Sequence, residues 1–242
     1  MRKFKHLLID YDNTLAKSEQ PAFRACCSLV NEVLSSYGVK VFFTPASLQE
    51  KFVGKSFRQM ILDLSAEHKF NVCATVLETL VREEEDRVIA QLDRELEECD
   101  GVAKALLWAQ SRYTLSIVSS SASRRLLTCV SKTRQEAFFG ERIFSASSSL
   151  PTPKSKPLSD IYHFTLSALN ATPAESLAIE DSVSGLLAAL GAGLPAIGYV
   201  GAYESDEEKT VMAEKLARMG AARIMHHWDY FPSIVADLES AA

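Results

Sequence analysis

The chain predicts an α/β fold: a doubly wound parallel sheet covered by helices on both faces, with a block of helices inserted after the first strand. Three observations predict it. Apolar stretches of strand length alternate with helical patterns from about residue 100 to the C-terminus, the pattern of a parallel sheet with crossover helices. One further strand, residues 5–9, stands alone near the N-terminus, and helix follows helix from Gln20 to about Leu92. The strands end abruptly in polar groups: Asp10 and Asp12, then Ser119-Ser120-Ser121, then Glu180-Asp181. Such ends meet along one edge of a parallel sheet, where ligands bind in open α/β folds.

In chain order, the run at residues 5–9 reads as a buried strand. In the helical block, Cys26, Leu29, Val30, Val33, Leu34 and Tyr37 recur at helical spacing, and Gly38 closes that helix. A second helix starts near Pro45 and a third follows Gly54. Leu77, Val81, Val88 and Leu92 mark a fourth, with Glu83-Glu84-Glu85-Asp86 on its solvated face. Val39–Phe43 is the one candidate strand in this block. After Asp100-Gly101 the alternation begins: helix at Val102–Ser111, strand at Tyr113–Val118, helix from about Ser123, and a short strand at Arg142–Ser145. The Ser- and Pro-rich stretch Ser145–Pro157 reads as a loop. Then come a helix at Asp160–Leu169, a strand at Ser176–Ile179, a helix at Val183–Leu190 closed by Gly191 and Gly193, and a strand at Pro195–Val200. Ser205 and Glu208 form a capping box that opens a helix to about Met219. Arg223–Met225 and Phe231–Leu238 are a last strand and helix. The block is read as an inserted domain, residues 17–96, within a core of residues 1–16 and 97–242. Its two linkers, near Ala16-Lys17 and Glu97–Asp100, should lie close together.

Composition narrows the function. Of 242 residues, 47% are hydrophobic and 24% charged, ordinary for a globular protein. A net charge of -5 argues against nucleic acid or an anionic membrane as the main partner. No apolar run approaches a membrane span, and Asp10 and Asp12 interrupt any signal-peptide core. The five cysteines include no C-x-x-C and read as reduced thiols of a cytoplasmic protein; the five histidines form no H-x-x-x-H, which argues against zinc. No obligate protein partner is inferred. Trp108 and Trp228 read as packing residues, and Arg124-Arg125 as an exposed helix face.

Each strand end offers a group suited to one task. Asp10 and Asp12, two apart on an extended chain, project together, and close carboxylates repel unless a cation or a proton intervenes. Carboxylates from two strands suit Mg2+, a hard cation that takes oxygen ligands. A serine hydroxyl and backbone N–H groups at a helix start suit phosphate oxygens, although Ser119 there would also serve as a plain helix cap. Lys156, preceded by Lys154, adds a point charge for either anion.

Four segments together resemble the haloacid dehalogenase superfamily, in the branch with a small helical cap. Asp10-Tyr11-Asp12-Asn13-Thr14-Leu15 matches its first motif, D-x-D-x-T. Ile117-Val118-Ser119-Ser120 matches the second. Ser155-Lys156-Pro157-Leu158-Ser159-Asp160-Ile161-Tyr162 resembles the third, usually G-K-P-x-P-D-x-Y. Ala178-Ile179-Glu180-Asp181-Ser182, followed by Gly185 and Gly193, resembles the fourth. Asn13 stands where glycine is commonest, and Ser155 and Ser159 replace the usual Gly and Pro.

The resemblance implies a Rossmann-like core and a Mg2+-dependent phosphomonoester hydrolase acting on a small phosphorylated metabolite, such as a sugar phosphate or phosphorylated sugar acid. It implies that Asp10 attacks phosphorus to form an aspartyl-phosphate, and that Asp12, protonated in the substrate complex, gives its proton to the leaving alkoxide. Ser119 and the N–H of Ser120 would bind the transferring group, and Lys156 would orient Asp10. Mg2+ would be held by Asp10, the Asp12 carbonyl and Asp181, with Glu180 as a further ligand or close by. The cap would set substrate choice. A β-phosphoglucomutase-like mutase shares all four motifs. Its cap loop carries an Arg where Val53-Gly54-Lys55-Ser56-Phe57 places Phe57, although Lys55 and Arg58 stand close. A hydrolytic dehalogenase usually has Tyr in place of Asp12. A non-catalytic binding or regulatory protein on the same scaffold is the reading from another class.

Overall fold

The structure is a computed structural model and describes residues 3–52 and 55–240. Six parallel strands form one sheet: β1 (His6–Ile9), β2 (Thr114–Ser119), β3 (Ile143–Ser145), β4 (Ser176–Glu180), β5 (Ala196–Tyr199) and β6 (Arg223–Met225). Their spatial order is β3-β2-β1-β4-β5-β6. The chain thus winds outward in both directions from β1, and the crevice where it reverses lies between the C-terminal ends of β1 and β4. Leu7, Leu8 and Ile9 are fully buried, as a strand covered on both faces requires. Ile9 is in register with Ile117 and with Ile179. One residue further on, the same register sets Asp10 level with Val118 and Glu180.

The chain divides into two compact units, Ser18–Leu96 on one side and Met1–Lys17 with Glu97–Ala242 on the other. At the crossings the Lys17 N–H donates to Glu97 O at 2.9 Å, and the Cys99 N–H donates to Leu15 O at 3.0 Å. The two linkers therefore lie side by side.

The helical unit holds α1 (Glu19–Ser36), α2 (Pro45–Lys51), α3 (Phe57–His68) and α4 (Ala74–Glu95). Leu29, Val30, Val33 and Leu34 of α1 bury their stripe against Leu48, Phe52, Ile61, Leu64 and Leu77. Thr44 caps α2 reciprocally with Ser47, with proline at the first turn. On α4, Glu83 is half-buried beside Arg87, which also grips Glu32, so the acidic run is only partly solvated. Val39–Phe43 is not a strand. The Asn31 side chain takes the place of a neighbouring strand, its amide donating to Phe43 O and its carbonyl accepting from Phe43 N, each at 2.9 Å. Those bonds satisfy the one backbone pair that burial would orphan, and Phe42 points outward. Gly54, the expected lead-in to the third helix, lies outside the described residues.

The core unit adds α5 (Val102–Ala109), α6 (Ser123–Lys132), α7 (Glu136–Phe139), α8 (Asp160–Ala168), α9 (Val183–Gly191), α10 (Asp206–Arg218) and α11 (Phe231–Ser240). Its apolar centre runs from Leu8, Val118 and Ala178 to Ile161, Tyr162, Leu186 and Leu216. The one-turn α7 is not legible in the sequence, being too short to show a period. Trp228 is fully buried, and its indole N–H donates to Thr14 O at 3.0 Å, which pins the turn after β1. Among the described residues, no helix is long and apolar enough to cross a membrane.

Candidate active site

The first carboxylate is fixed by the strand that carries it. Asp10 follows β1 directly, its N–H donating to Ile179 O at 3.0 Å, and is 6% exposed. Lys156 Nζ donates to Asp10 Oδ1 at 2.6 Å, and Thr14 Oγ1 donates to Asp10 Oδ2 at 3.1 Å. Thr14 can do this because the chain turns sharply at Asn13, whose φ of 54° is left-handed. Asparagine tolerates that region better than most residues other than glycine, which accounts for Asn13 where glycine is commonest.

Lys156 is the hub. Its side chain is 5% exposed. Besides Asp10, Nζ donates to Val118 O at 2.8 Å and pairs with Glu180 Oε1 at 2.7 Å, so each ammonium proton has an acceptor. Burial works against its charge, but Asp10 and Glu180 outweigh burial and hold the ammonium well above its ordinary value. Lys154, the other candidate, instead pairs with Asp160 at 2.5 Å on the surface.

Glu180, at the end of β4, is fully buried. The Tyr162 hydroxyl donates to the same Oε1 that Lys156 grips. Its other oxygen lies over Gly185 at the start of α9: a Cβ there would sit 1.8 Å from Oε2. Glycine is therefore required at 185 to admit the carboxylate. Burial raises Glu180 to about 7, with Lys156 opposing and Asp10 adding to the shift. Burial likewise raises Asp10, against Lys156 and Thr14.

Asp181, 8% exposed, completes a cluster. One oxygen each from Asp10, Glu180 and Asp181 lie within 4.8 Å of one another. Asp10 and Glu180 share the Lys156 ammonium, and Asp181 adds a third buried carboxylate beside them, a concentration of acid that a divalent cation would offset. An all-oxygen donor set suits Mg2+. The residues present therefore fit that ion, with Asp10 and Asp181 the better placed and Glu180 held back by Lys156 and Tyr162.

Asp12 faces elsewhere. Its Oδ2 accepts from Ser121 Oγ at 2.6 Å and from Ser119 Oγ at 3.3 Å, and its Oδ1 is 3.0 Å from Nη2 of Arg125. Its side chain is thus not in the metal cluster, and only its carbonyl is left for that part. Ser119 ends β2 and is fully buried. It does not cap α6, whose cap position is Ala122; its hydroxyl instead accepts from the Ser121 N–H at 3.0 Å. Ser120 follows it at the sheet edge, half-buried.

Four residues of this site carry no assigned role in the sequence reading: Thr14, Ser121, Tyr162 and Arg125. Thr14 and Tyr162 stand inside quoted motifs, so the motifs carry that signal. Arg125 corrects the expectation of an exposed helix face, which holds for Arg124 only. Arg125, in the first turn of α6, reaches Asp12.

A buried aspartate is thus fixed by a lysine at the switch point of a parallel sheet, beside two more carboxylates, the place where α/β enzymes hold their ligands. The family model for haloacid dehalogenase-like hydrolases matches residues 7–199, and the chain belongs to that family. It is 28% identical over 208 residues to protein CbbY of Cereibacter sphaeroides, covering 84% of this chain and 86% of that one. It is 28% identical over 192 residues to a phosphorylated carbohydrates phosphatase of Thermotoga maritima, covering 79% and 82%. A conserved haloacid dehalogenase-like protein of Agrobacterium tumefaciens has the same fold, with a TM-score of 0.75 at 24% identity over 97% of this chain and 99% of that one.

Proposed function

We propose that this chain is a Mg2+-dependent phosphomonoesterase that releases phosphate from a small phosphorylated metabolite through an aspartyl-phosphate on Asp10. The observation that carries the reading is Asp10 itself: buried, held at both oxygens by Lys156 and Thr14, and in register with Glu180. A carboxylate so fixed presents a lone pair along one direction, which in-line attack on phosphorus requires. Lys156 orients it and takes up charge as the phosphoryl group transfers. Ser119 and the N–H of Ser120 receive phosphoryl oxygens at the end of β2. Asp12 passes a proton to the leaving alkoxide as the P–O bond breaks, then takes one from the water that cleaves the acyl-phosphate. Mg2+, held by Asp10, Asp181 and the Asp12 carbonyl, would offset the charge of phosphate among carboxylates. In this reading residues 18–96 are the substrate-selecting cap.

Its relatives include a phosphatase of phosphorylated carbohydrates, so sugar phosphates and phosphorylated sugar acids are the substrates to screen first. The helical unit favours a hydrolase over a mutase. Phe57 is buried, Lys55 pairs with Asp63 at 2.5 Å, and Arg58 pairs with Glu78 through two bonds of 2.6 and 2.8 Å. Both cations are paired with carboxylates on the surface of the unit, so a second phosphate would have to break those pairs; Val53 and Gly54 of the same loop lie outside the described residues.

Phosphate release from a panel of sugar phosphates is expected with Mg2+ and is expected to vanish in EDTA. Release unaffected by EDTA would overturn the metal assignment, and no release from any phosphomonoester would favour a binding protein. Asp181→Ala removes a carboxylate from the cluster. The Mg2+ concentration for half-maximal activity is expected to rise about tenfold or more. An unchanged Mg2+ dependence would show that Asp181 is not a ligand.

A further inference from the structure

We propose that Arg125 is a positioning residue for proton transfer: it clamps Oδ1 of Asp12 so that Oδ2 is the oxygen presented to the leaving group. The inference rests on the phosphatase reading above. Two observations carry it, joined to the role proposed for Ser119. Nη2 of Arg125 lies 3.0 Å from Oδ1 of Asp12, and both side chains are largely shielded, 24% and 29% exposed. The other oxygen, Oδ2, is turned to Ser121 and Ser119, at 2.6 and 3.3 Å. Ser119 is the residue whose hydroxyl is read as seating the transferring phosphoryl group.

The two oxygens of Asp12 are therefore not equivalent. Oδ1 is tied to α6 by an ion pair, whereas Oδ2 accepts from neutral hydroxyls, that of Ser121 at 2.6 Å and that of Ser119 at 3.3 Å. An arriving phosphoryl oxygen can take over the Ser119 hydroxyl, whose bond to Oδ2 is the long one, and so free that side of Oδ2 for the leaving oxygen. In the first step the Oδ2–H bond breaks as a new O–H bond forms on the leaving oxygen, and the electron pair of the breaking P–O bond stays with that oxygen. In the second step Oδ2 takes a proton from water as the water oxygen bonds phosphorus and the acyl-phosphate opens. Both steps use the same oxygen, and Arg125 keeps the carboxyl from rotating about Cβ–Cγ between them. Lysine at 125 would retain the charge but offers a point donor on a flexible stem, so it would restore only part of the alignment.

A residue that positions a general acid matters in proportion to the basicity of the leaving group. Wild type, Arg125→Ala and Arg125→Lys are assayed with Mg2+ on phenyl phosphate, whose leaving group needs a proton, and on 2,4-dinitrophenyl phosphate, whose leaving group departs without one. The quantity compared is kcat/KM, which reports the steps up to departure of the leaving group. Arg125→Ala is expected to lose about tenfold or more on phenyl phosphate and less than about threefold on the dinitrophenyl ester, with Arg125→Lys in between. Equal losses on both esters, or none, would overturn the role of Arg125 while leaving the phosphatase reading standing. A wild-type protein that releases phosphate from neither ester nor any of the sugar phosphates would overturn both. Thermal melts of the three proteins accompany the kinetics, and equal losses joined to a lowered melting temperature would assign Arg125 to the fold alone.

Discussion

Asp10→Asn is expected to reduce phosphate release by at least about a thousandfold, roughly 4 kcal/mol of transition-state stabilisation, while leaving the fold intact. The amide has the shape of the carboxylate but no charged oxygen to attack phosphorus, so the covalent step is lost outright. Its neighbours can accommodate it. The amide oxygen still accepts from Lys156, and the amide N–H faces the Thr14 hydroxyl, which can accept as well as donate. The substitution also removes the charge of one of the two buried carboxylates that share the Lys156 ammonium. Stability without metal is therefore expected to hold or rise, and Mg2+ is expected to raise the melting temperature less than in the wild type. An acid-quenched reaction followed by mass spectrometry checks the chemistry directly: the wild type forms a phosphorylated protein and the Asp10→Asn variant does not. Phosphate release by Asp10→Asn within tenfold of wild type would sink the covalent mechanism.

The parts of this site that are legible in the sequence are those fixed by the sheet. Asp10, Ser119 and Glu180 each stand at or just after the end of an apolar run, and strand register alone sets Asp10 level with Glu180 and Ser119 one residue further along the neighbouring strand. The side-chain network is another matter. Lys156 and Lys154 lie two residues apart in one loop, and only the fold turns one onto Asp10 and the other onto Asp160. No period or propensity separates them. Arg125 reads as surface for a similar reason: α6 is strongly amphipathic, and a charged pair in its first turn has the pattern of a solvated face. The pairing with Asp12 comes from a residue more than a hundred positions away. Val39–Phe43 fails in the opposite sense. Its β-branched and aromatic residues have strand propensity, but a strand needs a neighbour, and here the Asn31 side chain takes that part.

Lys156→Met is expected to cost both activity and stability, and the stability loss is expected to depend on pH. Methionine fills a similar volume and pairs with nothing. It leaves Asp10 and Glu180 buried together without a counter-charge, and removing one partner of a buried ion pair typically costs about 3–5 kcal/mol. The sign of the pH dependence follows from the carboxylates. Burial already raises Glu180 from its ordinary value of 4.5 to about 7, and raises Asp10, even with Lys156 holding both down. A group raised in the folded state contributes stability that is complete below its unfolded value and is lost as pH rises through its folded value. Lys156 is raised as well, so in the wild type its own contribution is complete throughout pH 5–8. Without it the two carboxyls are raised further. At pH 5 they take up protons, and the variant loses only hydrogen bonds, about 1–2 kcal/mol. At pH 8 holding those protons costs free energy, and the deficit reaches the full 3–5 kcal/mol. With Mg2+ in the proposed site, the cation would supply charge in place of the missing ammonium and is expected to return part of the loss at pH 8 and little at pH 5, where protons compete for the same oxygens. Phosphate release is expected to fall about a hundredfold or more even with Mg2+ saturating, because nothing then aligns Asp10 or takes up charge beside it. Urea unfolding of both proteins at pH 5 and pH 8, with and without Mg2+, measures the stability terms. A deficit of equal size at the two pH values would show that Lys156 supports the fold by packing alone and that Asp10 and Glu180 do not share its charge.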